Sequence, residues 1–180
     1  MAFDLENITN CFLPQLVEQV FENYQVKSNS CSLTKEDREQ LFYDLSQLLG
    51  EELVERSLHL LDAYSFTYYY SENNRRQCLV ELQKGTIYFR VIPGTNYCKC
   101  DFFQSYVLQL PGIVLYHDLP SGITTTLDGW CAGSKVSYTC PHVLALKLHR
   151  LLQNPAGRKS TEQTIAAKEF RMLRSSIFQD

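Results

Sequence analysis

The residues best suited to chemistry in this chain are Cys98 and Cys100, in Tyr97-Cys98-Lys99-Cys100, and Cys140 and His142, in Thr139-Cys140-Pro141-His142. Their spacing is C-x-C, then 39 intervening residues, then C-x-H. Three thiols and one imidazole make a complete tetrahedral zinc set, because zinc takes thiolate sulfur and imidazole nitrogen and its structural sites use four protein ligands. No position is left for water, so the predicted site is structural rather than catalytic. Either pair alone is a weak signal; together, with a strand before and a helix after, they are much stronger. The competing reading is a group of ordinary buried thiols beside a core histidine, since free cysteine is among the most buried residue types.

Two elements must position these donors. The β-prone run Gly85-Thr-Ile-Tyr-Phe-Arg-Val-Ile92 leads into the first pair. In extended chain, residues two apart point to the same side, so Cys98 and Cys100 can present both sulfurs to one point. The second pair opens a helix. Cys140 takes an N-cap-like place, Pro141 suits the first helical position, and Val143-Leu-Ala-Leu-Lys-Leu148 follows. The partial positive charge of a helix N-terminus favours thiolate at Cys140.

The C-x-C…C-x-H pattern resembles the SWIM zinc-finger motif, a ββα zinc module. Leu13-Pro-Gln-Leu-Val-Glu-Gln-Val20, Leu48-Leu-Gly50, Asn73-Asn-Arg-Arg76 and Cys140-Pro-His-Val-Leu-Ala-Leu146 fall in an order and spacing that resemble the SWIM-domain protein family of the Shu complex. The resemblance covers about residues 13 to 153, and the zinc motif is its specific part. It implies one structural zinc on Cys98, Cys100, Cys140 and His142. It also implies a heterodimer with a RecA-like recombinase paralogue, a non-enzymatic role in homologous recombination repair, and a nuclear location. The interval between the cysteine pairs is longer than in the family, so Cys131 is an alternative third ligand.

A chain of 180 residues with 44 % hydrophobic and 21 % charged content suits one globular domain with a sizeable core. No run is apolar enough for a transmembrane helix. The start, Met1-Ala-Phe-Asp-Leu-Glu, is acidic and unlike a signal peptide. Seven cysteines without a secretory signal point to a reducing compartment and metal binding rather than disulfides. The net charge of −3 is unevenly spread, from −7 over residues 1–60 to +4 over residues 141–180. Only the C-terminal portion can offer phosphates a basic face, which makes direct DNA binding the alternative function.

The expected fold is α+β: N-terminal helices, a small antiparallel β meander, a SWIM-type ββα zinc module and a C-terminal helix. It divides into a helical region over 1–64, the meander and zinc module over 65–153 with a long insert over 101–139, and a tail or helix over 154–180. Residues 1–12 are expected to be loosely held. Pro14 should open a helix whose apolar stripe is Leu13, Leu16, Val17, Val20, Phe21 and Tyr24. A linker over residues 26–33 follows, containing Cys31. Thr34 caps a second helix that Gly50 stops, and a third runs from about Glu51 to Ala63, carrying His59.

Ser65 to Tyr70, Cys78 to Leu82 and Thr86 to Ile92 predict three strands, with a polar turn at Ser71-Glu-Asn-Asn-Arg-Arg76. A short helix over Phe102 to Val107 packs under the metal site. Weaker strand signals lie at residues 113–116 and 123–127, with turn signals around Trp130 and a stray His117. The helix from Pro141 is expected to run to about Gln153. His149 lies on the same face as His142 but is expected at the surface. Thr161 to Phe178 predicts a final helix or a tail ordered on binding. No nucleophile–base pair, phosphate loop or paired-carboxylate motif is visible, so no enzyme is expected. The 11 Tyr and 10 Phe are residue types enriched at protein interfaces.

Overall fold

The computed structural model describes residues 5–30, 32–108, 137–152 and 160–178. The expectations for Cys31, for the strand signals at 113–116 and 123–127, for His117, Trp130 and Cys131, and for the helix end at Gln153 lie outside these residues. The fold is mixed α+β, with helices flanking a four-stranded mixed sheet.

Helix α1 spans Leu5–Ser30 with Pro14 inside it, so Pro14 does not open the helix and residues 26–30 are not a linker. The reason lies in local and tertiary bonding. Val17, Phe21 and Tyr24, spaced i, i+4 and i+7, are buried and carry the middle of α1 into the core. Beyond them, Gln25 Nε2 donates to Asn29 Oδ1 at 3.1 Å, and Lys27 pairs with Asp37 at 3.2 Å. Helix α2, Lys35–Leu49, begins with a capping box: the Asp37 N–H donates to Thr34 Oγ1 at 3.1 Å and the Thr34 N–H to Asp37 Oδ2 at 3.2 Å. Gly50, at φ +86°, ends α2 and starts α3, Glu51–Ala63. A side chain there would be strained, which is why a glycine separates two helices with no intervening loop.

Strands β1 (Ser65–Ser71), β2 (Asn74–Lys84) and β3 (Ile87–Val91) form the expected antiparallel meander. Asn74, Arg75 and Arg76 belong to β2, so the turn is tighter than predicted. A fourth strand, β4 (Ser160–Ile165), adds parallel to β1, giving the order β3-β2-β1-β4. This corrects the single final helix expected over 161–178. The β-branched Thr161, Thr164 and Ile165 favour strand, and the free edge of β1 supplies the ladder. Only after Ala166 does the helix begin, as α5 (Ala167–Ser175).

Each sheet face has its own cover. Phe66, Tyr68, Val80, Leu82 and Val91 join the main core with α1, α2, α3 and the helix α4 (Pro141–Leu151). On the opposite face Leu79 packs with Phe170 and Ile177 from the C-terminal segment. Helix α4 is tied to the N-terminal region as well, through the Lys147–Glu18 ion pair. No helix among the described residues is long and apolar enough to cross a membrane.

Candidate metal centre

Strand β3 delivers the first donor pair. After Val91 the chain turns at Pro93-Gly94, with the Thr95 N–H on the Ile92 carbonyl at 3.0 Å, and then runs without regular secondary structure through Lys99. Cys98 and Cys100 are buried while Lys99 between them is exposed, so both thiols face the interior. The chain then coils at Asp101-Phe102 into a π-helical turn, Phe103–Val107, with Phe103 buried and the Phe102 and Tyr106 rings 4.9 Å apart. The Phe103 N–H points back at the Cys100 sulfur, 3.4 Å away, and helps hold negative charge there.

Helix α4 delivers the second pair. Cys140 is its N-cap residue, with φ −102° and ψ 164°, and Pro141 sits in the first turn. The Cys140 side chain makes no capping bond to the helix, so its sulfur is left for the cluster. The donor atoms of Cys98, Cys100, Cys140 and His142 all lie within 4.8 Å of one another. All three sulfurs belong to buried residues, and those cysteines are free thiols rather than disulfides.

The protonation pattern shows how tightly the thiols are coupled. The Cys100 thiol is held far below its ordinary range, first by hydrogen bonding from Cys140 and then from Cys98. Cys98 is pushed up to about 12, first through its hydrogen bond to Cys100. Cys140 is pushed up chiefly by burial and also by hydrogen bonding to the other two. The three thiols thus share hydrogen bonds with one another, an arrangement a divalent cation would replace with three thiolates.

His142 completes the set. Its Nδ1 is buried and has no hydrogen-bond partner among the described residues. A buried polar atom without a partner is costly unless something else satisfies it. Its ring lies against Phe89 of β3, centroids 3.8 Å apart and planes tilted by 34°. The donor types, the burial and this nitrogen fit a metal ion held by four protein ligands, with no free position for water.

The other singled-out residues lie apart from the cluster. His59 is exposed on α3, and Arg75 and Arg76 are exposed on β2. His149 is not at the surface as expected: it is only 1 % exposed, stacked on Phe66 with centroids 4.0 Å apart, with its Nδ1 2.8 Å from the Tyr68 hydroxyl. The sequence reading also missed three residues that shape the site, Phe89, Asn96 and Thr139. Phe89 was legible only as a strand residue, and nothing in the sequence marked Asn96 or Thr139. No protein-family model, curated protein or solved structure matches this chain.

Proposed function

We propose that Cys98, Cys100, Cys140 and His142 bind one structural zinc ion in a SWIM-type module. On this reading the protein is a non-enzymatic scaffold that pairs with a RecA-like recombinase paralogue in homologous recombination. The observation that carries the reading is the four-donor cluster itself, three thiols and an imidazole gathered from two segments far apart in sequence. The order in which those donors arrive, C-x-C after a strand and C-x-H opening a helix, is the order of the SWIM motif. Zinc, when bound, supplies a cross-link between the end of the meander and the start of α4, and folding free energy with it. The chain's own residues do the rest. The α4 N-terminus offsets part of the burial that opposes thiolate at Cys140, the Phe103 N–H supports Cys100, and the Phe89 ring packs against His142.

A closed site offers no chemistry of its own, so the functional element is the surface it makes rigid. Exposed apolar side chains at Phe12, Leu16, Tyr43, Met172 and Phe178, on the N-terminal helices and the C-terminal segment, suit that surface to a protein partner. The test is to purify the chain from its own cells, identify what co-purifies and measure metal on the same sample. One zinc per chain with a RecA-fold partner is the expected result. A metal-free, monodisperse monomer indifferent to recombinase paralogues refutes it. Tight, steeply salt-dependent binding of DNA by the chain alone would support the alternative, a direct DNA-binding zinc-finger protein.

A further inference from the structure

The two halves of the donor cluster are held against each other by residues that are not donors. Asn96, two positions before Cys98, donates from Nδ2 to the Tyr138 carbonyl oxygen at 2.7 Å. Its Oδ1 accepts from the Thr139 hydroxyl at 2.8 Å. Tyr138 and Thr139 are the two residues immediately ahead of Cys140. One planar amide thus engages two consecutive residues, once as donor and once as acceptor, which fixes both the separation and the rotation of the incoming segment. The other side of the site is tied as well. The Ser137 hydroxyl donates to the buried Thr139 carbonyl at 2.7 Å, and the Ser137 N–H donates to the Tyr106 carbonyl at 2.7 Å. The segment leading into C-x-H is therefore anchored to residues on both flanks of C-x-C.

We propose that Asn96 is a positioning residue for the metal centre: with Thr139, it sets the Cys140 sulfur beside Cys98 and Cys100 before any metal arrives. The inference rests on reading the four donors as a metal site. Its physical basis is loop closure. The 39 residues between Cys100 and Cys140 must be closed into a loop for the donors to meet, and closing it costs chain entropy. Where protein bonds close the loop in advance, the metal binds a preorganised site; where they do not, its apparent affinity falls by the cost of ordering. A bond that merely stabilised the fold would act differently. Its loss would weaken the metal-free and metal-loaded proteins equally and leave the zinc affinity unchanged.

The experiment uses the full chain with zinc as the probe. Affinity is read by competition against a chelator, and site geometry by the visible absorption of the cobalt(II)-substituted protein. Asn96→Ala should weaken zinc binding on the order of tenfold, the lower end of what outer-shell partners of metal ligands contribute. The variant should still bind one equivalent at saturation, with the wild-type cobalt spectrum. Asn96→Asp keeps the acceptor for Thr139 and should recover part of the loss. Thr139→Val should weaken binding less than Asn96→Ala, and the double variant should be no weaker than Asn96→Ala alone, because both substitutions break the same bond. Wild-type affinity in Asn96→Ala overturns the positioning role, whatever happens to its melting temperature. If Asn96→Ala does not fold, Thr139→Val decides, and unchanged affinity there overturns it. A wild-type chain that binds no zinc instead removes the metal centre, a failure distinct from an unclamped site that still binds.

Discussion

Phe89 and His142 face each other across the junction of sheet and helix, ring centroids 3.8 Å apart. Phe89 belongs to a row of side chains, Phe66, Leu82 and Phe89, that the register places side by side on one face of three neighbouring strands. Helix α4 lies over that row. His149, two turns along α4, stacks on Phe66 at the other end, 4.0 Å between centroids. Two histidines seven residues apart thus cap two phenylalanines of one sheet row, and only the one at the helix N-terminus meets the thiols.

Replacing Phe89 should therefore disturb metal and fold together. Phe89→Ala removes the surface against which the imidazole is packed. For this half-buried ring the expected loss is about 2 kcal/mol of stability, roughly half the cost of deleting a fully buried phenylalanine. Zinc affinity should fall with it, and Phe89→Leu should restore most of the stability. Denaturant unfolding and chelator competition on the same samples check both.

Cys140 rather than Cys131 should be the third sulfur. Cys140→Ser should abolish stoichiometric zinc and destabilise the fold, whereas Cys131→Ser should keep one zinc per chain. Elemental analysis after gel filtration decides, and the opposite pattern would transfer the ligand role to Cys131.

The Tyr68–His149 pair should matter for stability and leave the metal alone. The Tyr68 hydroxyl and His149 Nδ1 are 2.8 Å apart in the buried core. Tyr68→Phe keeps the ring and removes that partner, at a cost of about 1–3 kcal/mol. Zinc stoichiometry and affinity should not change, which would separate this histidine from the site that its spacing to His142 suggests.

Acid should weaken the N-terminal helical region through Asp37. The Asp37 carboxyl is held below its ordinary value, first by the hydrogen bond from Lys27 and then by the Thr34 N–H. A carboxyl whose folded pKa is depressed contributes stability that is present above the unfolded value, near 3.8, and lost as pH falls through the folded one. Helicity followed between pH 6 and pH 2 should show this loss at the acid end. Asp37→Asn should flatten that part of the profile, and an unchanged profile in the variant would argue against the Asp37 carboxyl, paired with Lys27 and Thr34, as its source.

How much of this was legible from residues alone can be read element by element. The capping box at Thr34, the stop at Gly50, the meander and the opening of α4 at Cys140-Pro141 are governed by bonds and dihedral preferences within a few residues, so the local sequence carries them. The four candidate donors were legible for the same reason: C-x-C and C-x-H are local patterns, and ligand chemistry restricts which residue types can serve. Elements decided by distant partners were not. Residues 160–165 become a strand because the edge of β1 lies open to them, and Ala167–Ser175 becomes a separate helix because Phe170 and the following Ile177 find Leu79 on the far side of the sheet. Helix α1 runs past Pro14 because Val17, Phe21 and Tyr24 are buried against the rest of the fold. His142 and His149 lie on one helix face in any reading. Which of them meets sulfur and which meets Phe66 depends on where α4 crosses the sheet, and that is fixed by packing among segments far apart in the chain. Asn96 gave no signal for the same reason: its meaning is two bonds to Tyr138 and Thr139, residues that only the closed tertiary structure brings beside it.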